Sequence, residues 1–226
     1  MDHSSGPETE RVWVFDFDGT LADIVPDREA AVLDPACKAV LFELAGQRGE
    51  AVAVLSSRRL DDLAPRVAVP GLYLGGCSGV MWLTPEGERH SCEYRFGEQL
   101  TAARAAVLDR LKTAGRHPGV ELEDKQWSLT VHVRKASAGV RQRVYEHIRQ
   151  VSTEYALSLF RGPAAIEVQF IPGVNKAFGV RELCGSMLGI SDRAAVLYAG
   201  DDENDAAAME WVLARGGTAL TVGSAP

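Results

Sequence analysis

The chain has 226 residues, of which 46% are apolar and 24% charged, and a net charge of -7, values typical of a folded globular protein. The acidic balance excludes a broad nucleic-acid interface, and four scattered cysteines without a C-x-x-C pair predict free thiols. No apolar run reaches membrane-spanning length and the polar start lacks a signal-peptide core, so we expect a cytoplasmic protein with no membrane partner.

The first third of the chain alternates buried strands with helices. Each strand is a short, nearly continuous apolar run, which is typical of parallel strands covered on both faces. This β-α-β-α-β order predicts an α/β fold with a Rossmann-like, doubly wound parallel sheet. The strands are predicted at 12–15, 51–55 and 72–74; one helix begins at Asp34-Pro35 and another spans about 60–67.

A different pattern occupies the middle of the chain. Residues 127–134 alternate strictly between apolar and polar side chains, which indicates a sheet with one polar face. Helical stretches at about 96–114 and 139–155 flank this strand, and residues 165–170 predict another. We therefore predict an inserted α+β cap domain at 81–171. The core domain then comprises 1–80 and 172–226, with a helix near Asn175 and strands at 194–199 and 218–222.

Two carboxylates, Asp16 and Asp18, follow the first strand directly. Because ligands bind at the carboxyl ends of the strands in such sheets, both side chains should stand at the functional edge. Two carboxylates can take separate roles in a displacement reaction. One attacks an electrophile, while the other handles the proton of the leaving group and later that of water. Their oxygen atoms also suit Mg²⁺.

Three further sequence segments are expected to lie at the same edge of the sheet. Ser56 follows the second strand, where its hydroxyl could hold a phosphoryl oxygen, although a helix N-cap is an equally good interpretation. A lysine at a helix start is more often simply solvated, but this end is unfavourable for a cation, so Lys176 suggests a role in stabilising developing negative charge. Four of the five residues at 201–205 are acidic. A bound cation explains this density of negative charge better than an acidic loop does. These acids are Asp201, Asp202, Glu203 and Asp205.

Together these strings resemble the four motifs of the haloacid dehalogenase-like (HAD) phosphohydrolases, in the family's order. The resemblance implies a phosphoaspartate mechanism, in which Asp16 attacks phosphorus while Asp18 protonates the leaving oxygen and then activates water. It also implies that Ser56 and Lys176 hold the phosphoryl group. The implied Mg²⁺ ligands are Asp16, the backbone carbonyl of Asp18 and Asp201, with Asp202 and Asp205 as metal-shell or orienting residues.

The insert resembles the type IIB cap of this superfamily, and several strings are similar to those of trehalose-6-phosphate phosphatases. These strings are 16–22, 121–125 with Ser128 and 132–134, and 172–176. The resemblance implies a phosphorylated sugar as substrate, with Glu123 and Lys125, and more weakly Glu167, binding sugar hydroxyls. An exposed salt bridge is the alternative for these cap residues. Ser57 and Arg58, in the turn of the second motif, complete the expected substrate contacts.

Two departures from the family pattern leave the sugar open. These phosphatases carry Gly-x-His-Gly and a following acid, where this chain has Ser78 and Met81, and altered recognition residues indicate an altered sugar. The first hypothesis is a Mg²⁺-dependent phosphatase of the trehalose-phosphatase type, and the second is a phosphatase of another phosphorylated sugar or cyclitol. A phosphomutase and a non-catalytic sugar-phosphate-binding module are the remaining alternatives. We expect a monomer.

Overall fold

The structure of the chain is a computed structural model, which describes residues 9–25, 27–92, 95–162, 164–171, 173–190 and 194–223, apart from the side chains of Gln99 and Ala103. It contains two compact units. The larger unit comprises Met1–Ser91 with Asn175–Pro226, and the smaller unit comprises Cys92–Val174.

The described residues form eleven strands and six α-helices. The strands are β1 (Arg11–Phe15), β2 (Glu50–Leu55), β3 (Tyr73–Gly76), β4 (Met81–Leu83), β5 (Arg89–Ser91), β6 (Glu121–Asp124), β7 (Ser128–His132), β8 (Ser158–Gly162), β9 (Ala165–Gln169), β10 (Ala195–Gly200) and β11 (Thr218–Thr221). The helices are α1 (Pro35–Ala45), α2 (Leu60–Val67), α3 (Gly97–Leu111), α4 (Ala138–Glu154), α5 (Lys176–Arg181) and α6 (Glu203–Ala214). Wider turns over Glu182–Met187 continue α5.

A seven-stranded sheet in the order β11-β10-β1-β2-β3-β4-β5 forms the centre of the larger unit. The first five strands of that order are parallel, and β4 and β5 are antiparallel. Alternate residues of β2 enter two different apolar clusters. Val52 and Val54 pack with residues of α1 and α2, whereas Ala53 and Leu55 pack with residues of α5 and α6. Because side chains alternate across a strand, helices cover both faces of the sheet.

The antiparallel hairpin of β4 and β5 extends this sheet beyond β3. Residues 81–91 therefore belong to the larger unit, whereas the sequence predicted that the insert begins at residue 81. Each of these strands has three residues, too few to show a two-residue period. We retain the division into a core and a cap as a proposal, with the boundaries at Ser91 and Asn175 that the structure gives.

An antiparallel sheet in the order β6-β7-β9-β8 forms the smaller unit together with α3 and α4. The register pairs Leu129 with Val168 and Thr130 with Glu167. Since successive side chains point to opposite faces, one face of this sheet is apolar and the other is polar.

The α/β class, with a doubly wound and mostly parallel sheet interrupted by an α+β segment, is confirmed. The described helices include none that is both long and apolar enough to cross a membrane.

Candidate active site

The central strands place three predicted site residues at one edge of the larger sheet. Phe15, the last residue of β1, pairs with Ala199 of β10 and with Val54 of β2. Asp16 follows β1, Ser56 follows β2 and Asp201 follows β10, so all three stand just beyond the carboxyl ends of neighbouring parallel strands. The Asp16 amide donates to the Ala199 carbonyl at 2.9 Å, which fixes the backbone where the strand ends.

Lys176 joins this group from the first turn of α5. Asn175 caps that helix, because its side chain accepts a hydrogen bond from the Phe178 amide at 3.0 Å. The Lys176 ammonium is buried and lies 2.6 Å from Oδ1 of Asp16 and 2.6 Å from Oδ1 of Asp205. A cation at a helix N-terminus is thus held by two buried carboxylates, which explains its placement at an otherwise unfavourable position. Pro172, in the same predicted motif, lies outside the described residues.

Asp205 has its hydrogen-bonding capacity fully used. Its Oδ1 accepts from Lys176 and from the Tyr198 hydroxyl at 2.5 Å, while its Oδ2 accepts from the backbone amides of Asp201 and Asp202 at 3.1 and 3.2 Å. A carboxylate offers about four lone-pair sites, and these four donors occupy them. Asp205 therefore orients the lysine and the loop after β10. Gly200 is required beside it, because an added Cβ would lie 2.2 Å from the Asp205 Cγ.

Asp202 takes a different position from its neighbours. It is the N-cap of α6, and its Oδ1 accepts from the Asn204 amide at 2.8 Å. The helix therefore begins at Glu203, within the run of acids at 201–205. Acidic residues in its first turn are favourable at the positive end of the helix.

Oxygen atoms of Asp16, Asp201 and Asp205 lie within 4.8 Å of one another. Oδ1 of Asp201 is buried and has no hydrogen-bond partner among the described residues. Gly19, with φ of +89°, lets the backbone approach this carboxylate, since a Cβ there would lie 2.0 Å from Asp201 Oδ2. An open, buried carboxylate oxygen within a set of hard oxygen donors fits Mg²⁺.

The charges of this group are unbalanced. Burial raises the pKa of Asp16 well above its usual value, and Asp205 adds to the effect while Lys176 offsets part of it. Burial also raises the pKa of Asp201 and raises that of Asp202 to about 6. Burial alone would lower the pKa of Lys176, but the carboxylates raise it well above its usual value. Burial opposes ionisation of Asp205, yet Lys176 and the hydrogen bonds lower its pKa. A divalent cation would balance the surplus acids.

The turn after β2 brings Arg58 to Asp18. The guanidinium donates from Nε to Oδ2 and from Nη2 to Oδ1 of Asp18, both at 2.7 Å, and the Arg58 residue is buried. The expected role of Arg58 in substrate binding is therefore not supported by its position, because its donors point into the protein. Ser57 is partly exposed, and the Ser56 hydroxyl accepts from the Arg58 amide at 3.2 Å.

The residues that depart from the family pattern are packed inside the larger unit. Ser78 is buried in a turn of three successive left-handed residues, 77–79, with φ of 56° at Ser78 itself. Its amide donates to the Ser56 carbonyl at 2.9 Å. Met81 packs against the apolar cluster of α1 and α2. Because Ser78 is buried and Met81 is partly buried in this packing, the reason for expecting an altered sugar is weaker.

The predicted cap residues share the polar face of the smaller sheet. Glu123 and Glu167 both pair in register with Thr130, so all three point to one side. Lys125 is buried with its Nζ 3.9 Å from Oε2 of Glu167, whose Oε1 accepts from the Ser128 hydroxyl at 2.6 Å. An exposed salt bridge, the alternative interpretation, does not describe this buried pair.

Three contacts of the site were not predicted from the sequence. The Tyr198 hydroxyl on Asp205 could have been suspected, because a tyrosine in a fully apolar strand needs a partner for its hydroxyl. His132, which lies 3.0 Å from Oε2 of Glu123, has only its position on the polar face as a signal. The pairing of Arg58 with Asp18 has no signal in spacing, since the two residues lie on different turns.

The model of the trehalose-phosphatase family matches residues 14–224 of this chain. The trehalose-phosphate phosphatase of Mycobacterium ulcerans is 33% identical over 203 residues, which cover 88% of this chain and 50% of that protein. The trehalose-phosphate phosphatase of Mycobacterium tuberculosis (strain H37Rv) is 34% identical over 155 residues, 69% of this chain and 39% of that protein. The chain therefore spans half or less of the length of these relatives.

A solved structure gives the same result for the fold. The C-terminal domain of the trehalose-6-phosphate phosphatase of Candida albicans superposes with a TM-score of 0.77 at 25% identity, covering 90% of this chain and 74% of that chain. The family is one of phosphatases, which are phosphoric monoester hydrolases. The match to the family model over almost the whole chain confirms the predicted membership: the chain belongs to the trehalose-phosphatase family, within the HAD-like fold.

Proposed function

We propose that this chain is a Mg²⁺-dependent phosphatase that hydrolyses a sugar phosphate, with trehalose 6-phosphate as the first candidate, through a phosphoaspartate at Asp16. The observation that carries the proposal is the buried contact of Asp16 with Lys176 beside Asp201. A carboxylate at the end of a central strand, paired with a fixed ammonium, is suited to attack phosphorus while the cation stabilises the charge of the phosphoryl oxygens.

The reaction has two displacements. In the first, an Asp16 oxygen forms a bond to phosphorus as the bond from phosphorus to the sugar oxygen breaks, and Asp18 gives its proton to that oxygen. In the second, water attacks the phosphoaspartate, Asp18 takes a proton from the water, and the bond between Asp16 and phosphorus breaks. Phosphate leaves and both carboxylates return to their starting states. The Ser56 hydroxyl is assigned to a phosphoryl oxygen.

Mg²⁺ is assigned to Asp16 and Asp201, with the Asp18 backbone carbonyl as a further ligand. The open Oδ1 of Asp201 supports this assignment, and the four donors on Asp205 argue for orientation of Lys176 rather than direct ligation. Asp202 is assigned to capping α6 beside the ion. When bound, Mg²⁺ supplies positive charge that neutralises the phosphoryl group and the surplus acids.

The sugar is assigned to the polar face of the smaller sheet. Glu123, Lys125 and Glu167 offer carboxylate and ammonium groups, which hydrogen-bond hydroxyls strongly. Their grouping on one face supports a hydroxyl-rich ligand. A cytoplasmic location and a monomeric state complete the proposal.

Phosphate release from trehalose 6-phosphate, measured with Mg²⁺ and with EDTA, tests the activity. We expect turnover only with the metal, and its loss in Asp16→Asn together with loss of an acid-stable phosphoenzyme trapped by rapid quenching. Asp109→Asn is the matched control, because that carboxylate is 82% exposed and lies 3.8 Å from Lys112, far along the chain from the motifs. Unchanged metal-dependent turnover in Asp16→Asn would contradict Asp16 as the nucleophile.

A substrate panel separates the alternatives. Faster release from another phosphorylated sugar or from a cyclitol phosphate than from trehalose 6-phosphate would favour the second hypothesis. Conversion of one sugar phosphate to an isomer without net phosphate release would identify a phosphomutase. Binding without turnover for every member of the panel would identify a non-catalytic module.

A further inference from the structure

Asp18 and Arg58 form a two-point ion pair with unequal access to solvent. Each oxygen of the carboxylate accepts one guanidinium N–H at 2.7 Å. The Asp18 side chain is 39% exposed, whereas the Arg58 side chain is 6% exposed. A ligand can therefore reach the carboxylate, while the guanidinium behind it is closed to solvent.

Two further donors of Arg58 bind protein groups other than Asp18. Nη1 donates to Oδ2 of Asp62 at 2.8 Å, and Nη2 also donates to the Arg28 carbonyl at 3.0 Å. The guanidinium carbon lies 5.6 Å from the centroid of the Phe17 ring, within range of a cation–π contact. Four of the five N–H groups that a guanidinium offers thus have protein partners.

A second arginine fixes the partner of the first. Arg66 donates from Nε to Oδ1 of Asp62 at 2.8 Å. Its Nη1 donates to the carbonyls of Glu29 and Ala31 at 2.8 and 2.9 Å. Asp62 and Arg66 both lie on α2, so Arg58 is held between this helix and the segment 28–31. Such support fixes the guanidinium in one orientation.

We propose that Arg58 is a positioning residue that holds the Asp18 carboxylate in one orientation for its proton transfers. This inference rests on the proposed function. Each oxygen of Asp18 has about two lone-pair sites and Arg58 occupies one on each, so the other sites can take and release a proton while both hydrogen bonds from Arg58 remain. Lysine cannot replace this contact, because an ammonium is a point charge that cannot bind both oxygens in one plane.

The alternative is a purely structural role, in which Arg58 only joins α2 to segment 28–31. Arg66→Met is the matched control, since it removes the other arginine of the same network without a contact to Asp18. The measured quantity is the rate of the first chemical step. It is monitored by rapid quenching, with enzyme in excess over substrate. Two substrates are compared: trehalose 6-phosphate, whose leaving oxygen needs a proton, and p-nitrophenyl phosphate, whose leaving group does not.

We expect Arg58→Met to slow the step with trehalose 6-phosphate by about 100-fold, the size typical of a misplaced or lost general acid, with KM unchanged. The step with p-nitrophenyl phosphate should change little, Arg58→Lys should recover only a minor part of the rate, and millimolar guanidinium should rescue Arg58→Ala. Arg66→Met should lower the melting temperature without this dependence on the leaving group.

Three outcomes would overturn the inference. Equal slowing of both substrates would make the role structural, and a raised KM with unchanged rate would make Arg58 a substrate-binding residue. The same leaving-group dependence in Arg66→Met would assign the effect to the whole network. If Arg58→Met fails to fold, the rescue of Arg58→Ala by guanidinium and the rate of Arg58→Lys decide whether the inference holds. An inactive wild-type protein would instead refute the proposed function, and the inference with it.

Discussion

Removal of the Tyr198 hydroxyl offers a direct measure of how firmly Asp205 is held. Tyr198→Phe keeps the ring, so no cavity forms in the core, and it deletes only the 2.5 Å hydrogen bond to Oδ1 of Asp205. A buried hydrogen bond to a charged group contributes about 1.5–3 kcal/mol to the free energy of unfolding. Lys176 and two backbone amides still bind Asp205, so the carboxylate keeps its partners.

We therefore expect Tyr198→Phe to lower the free energy of unfolding by about 2 kcal/mol, which for a protein of this size lowers the melting temperature by about 4–8 °C. Urea unfolding followed by circular dichroism and a thermal scan would measure both. Tyr73→Phe is the matched control, since this partly buried tyrosine on β3 has no side-chain hydrogen bond among the described residues. Equal effects of the two substitutions would refute the reasoning.

Three other predictions concern the loops around the site. Gly19→Ala should abolish turnover and Mg²⁺ binding, measured by calorimetry, because its Cβ would collide with Asp201 and its φ is +89°; retained binding would contradict this. Gly79→Ala should lower the melting temperature by more than Gly87→Ala, since its Cβ would lie 2.2 Å from Gly179 Cα whereas that of Gly87, also at positive φ, meets nothing. Without metal, stability should fall as the pH rises from about 4 to 6, because the folded state holds protons on acids whose pKa values are raised. Asp202→Asn, which keeps the helix cap, should flatten this slope in thermal scans, and an unchanged slope would disprove the origin assigned to it.

Much of the fold could be predicted because its central strands carry their signal locally. The apolar run before Asp16 forms a central strand as predicted, with Val12 and Val14 buried and Trp13 and Phe15 partly buried. The alternation around residues 127–134 reflects the two faces of the smaller sheet. The short strands β4 and β5 were missed, since three residues cannot establish a period. Where they pair depends on the exposed edge of β3, which the local sequence does not encode.

The candidate site could likewise be predicted only in part. Asp16, Ser56 and Asp201 could be placed together because neighbouring parallel strands end at one edge. The partners of their side chains could not be predicted, since these depend on rotamers set by tertiary packing. Arg58 shows this, because its position after the second strand suggested a contact with the substrate, whereas its packed side chain pairs with Asp18.

The strand order also has a consequence for synthesis on the ribosome. β1 lies between β2 and β10, yet β10 follows it only after the whole smaller unit has been made. During translation, one edge of β1 therefore has no native partner until residues 195–200 leave the exit tunnel, and an exposed apolar strand edge invites aggregation. The need for chaperones during expression should therefore depend on how soon β10 becomes available to pair with β1.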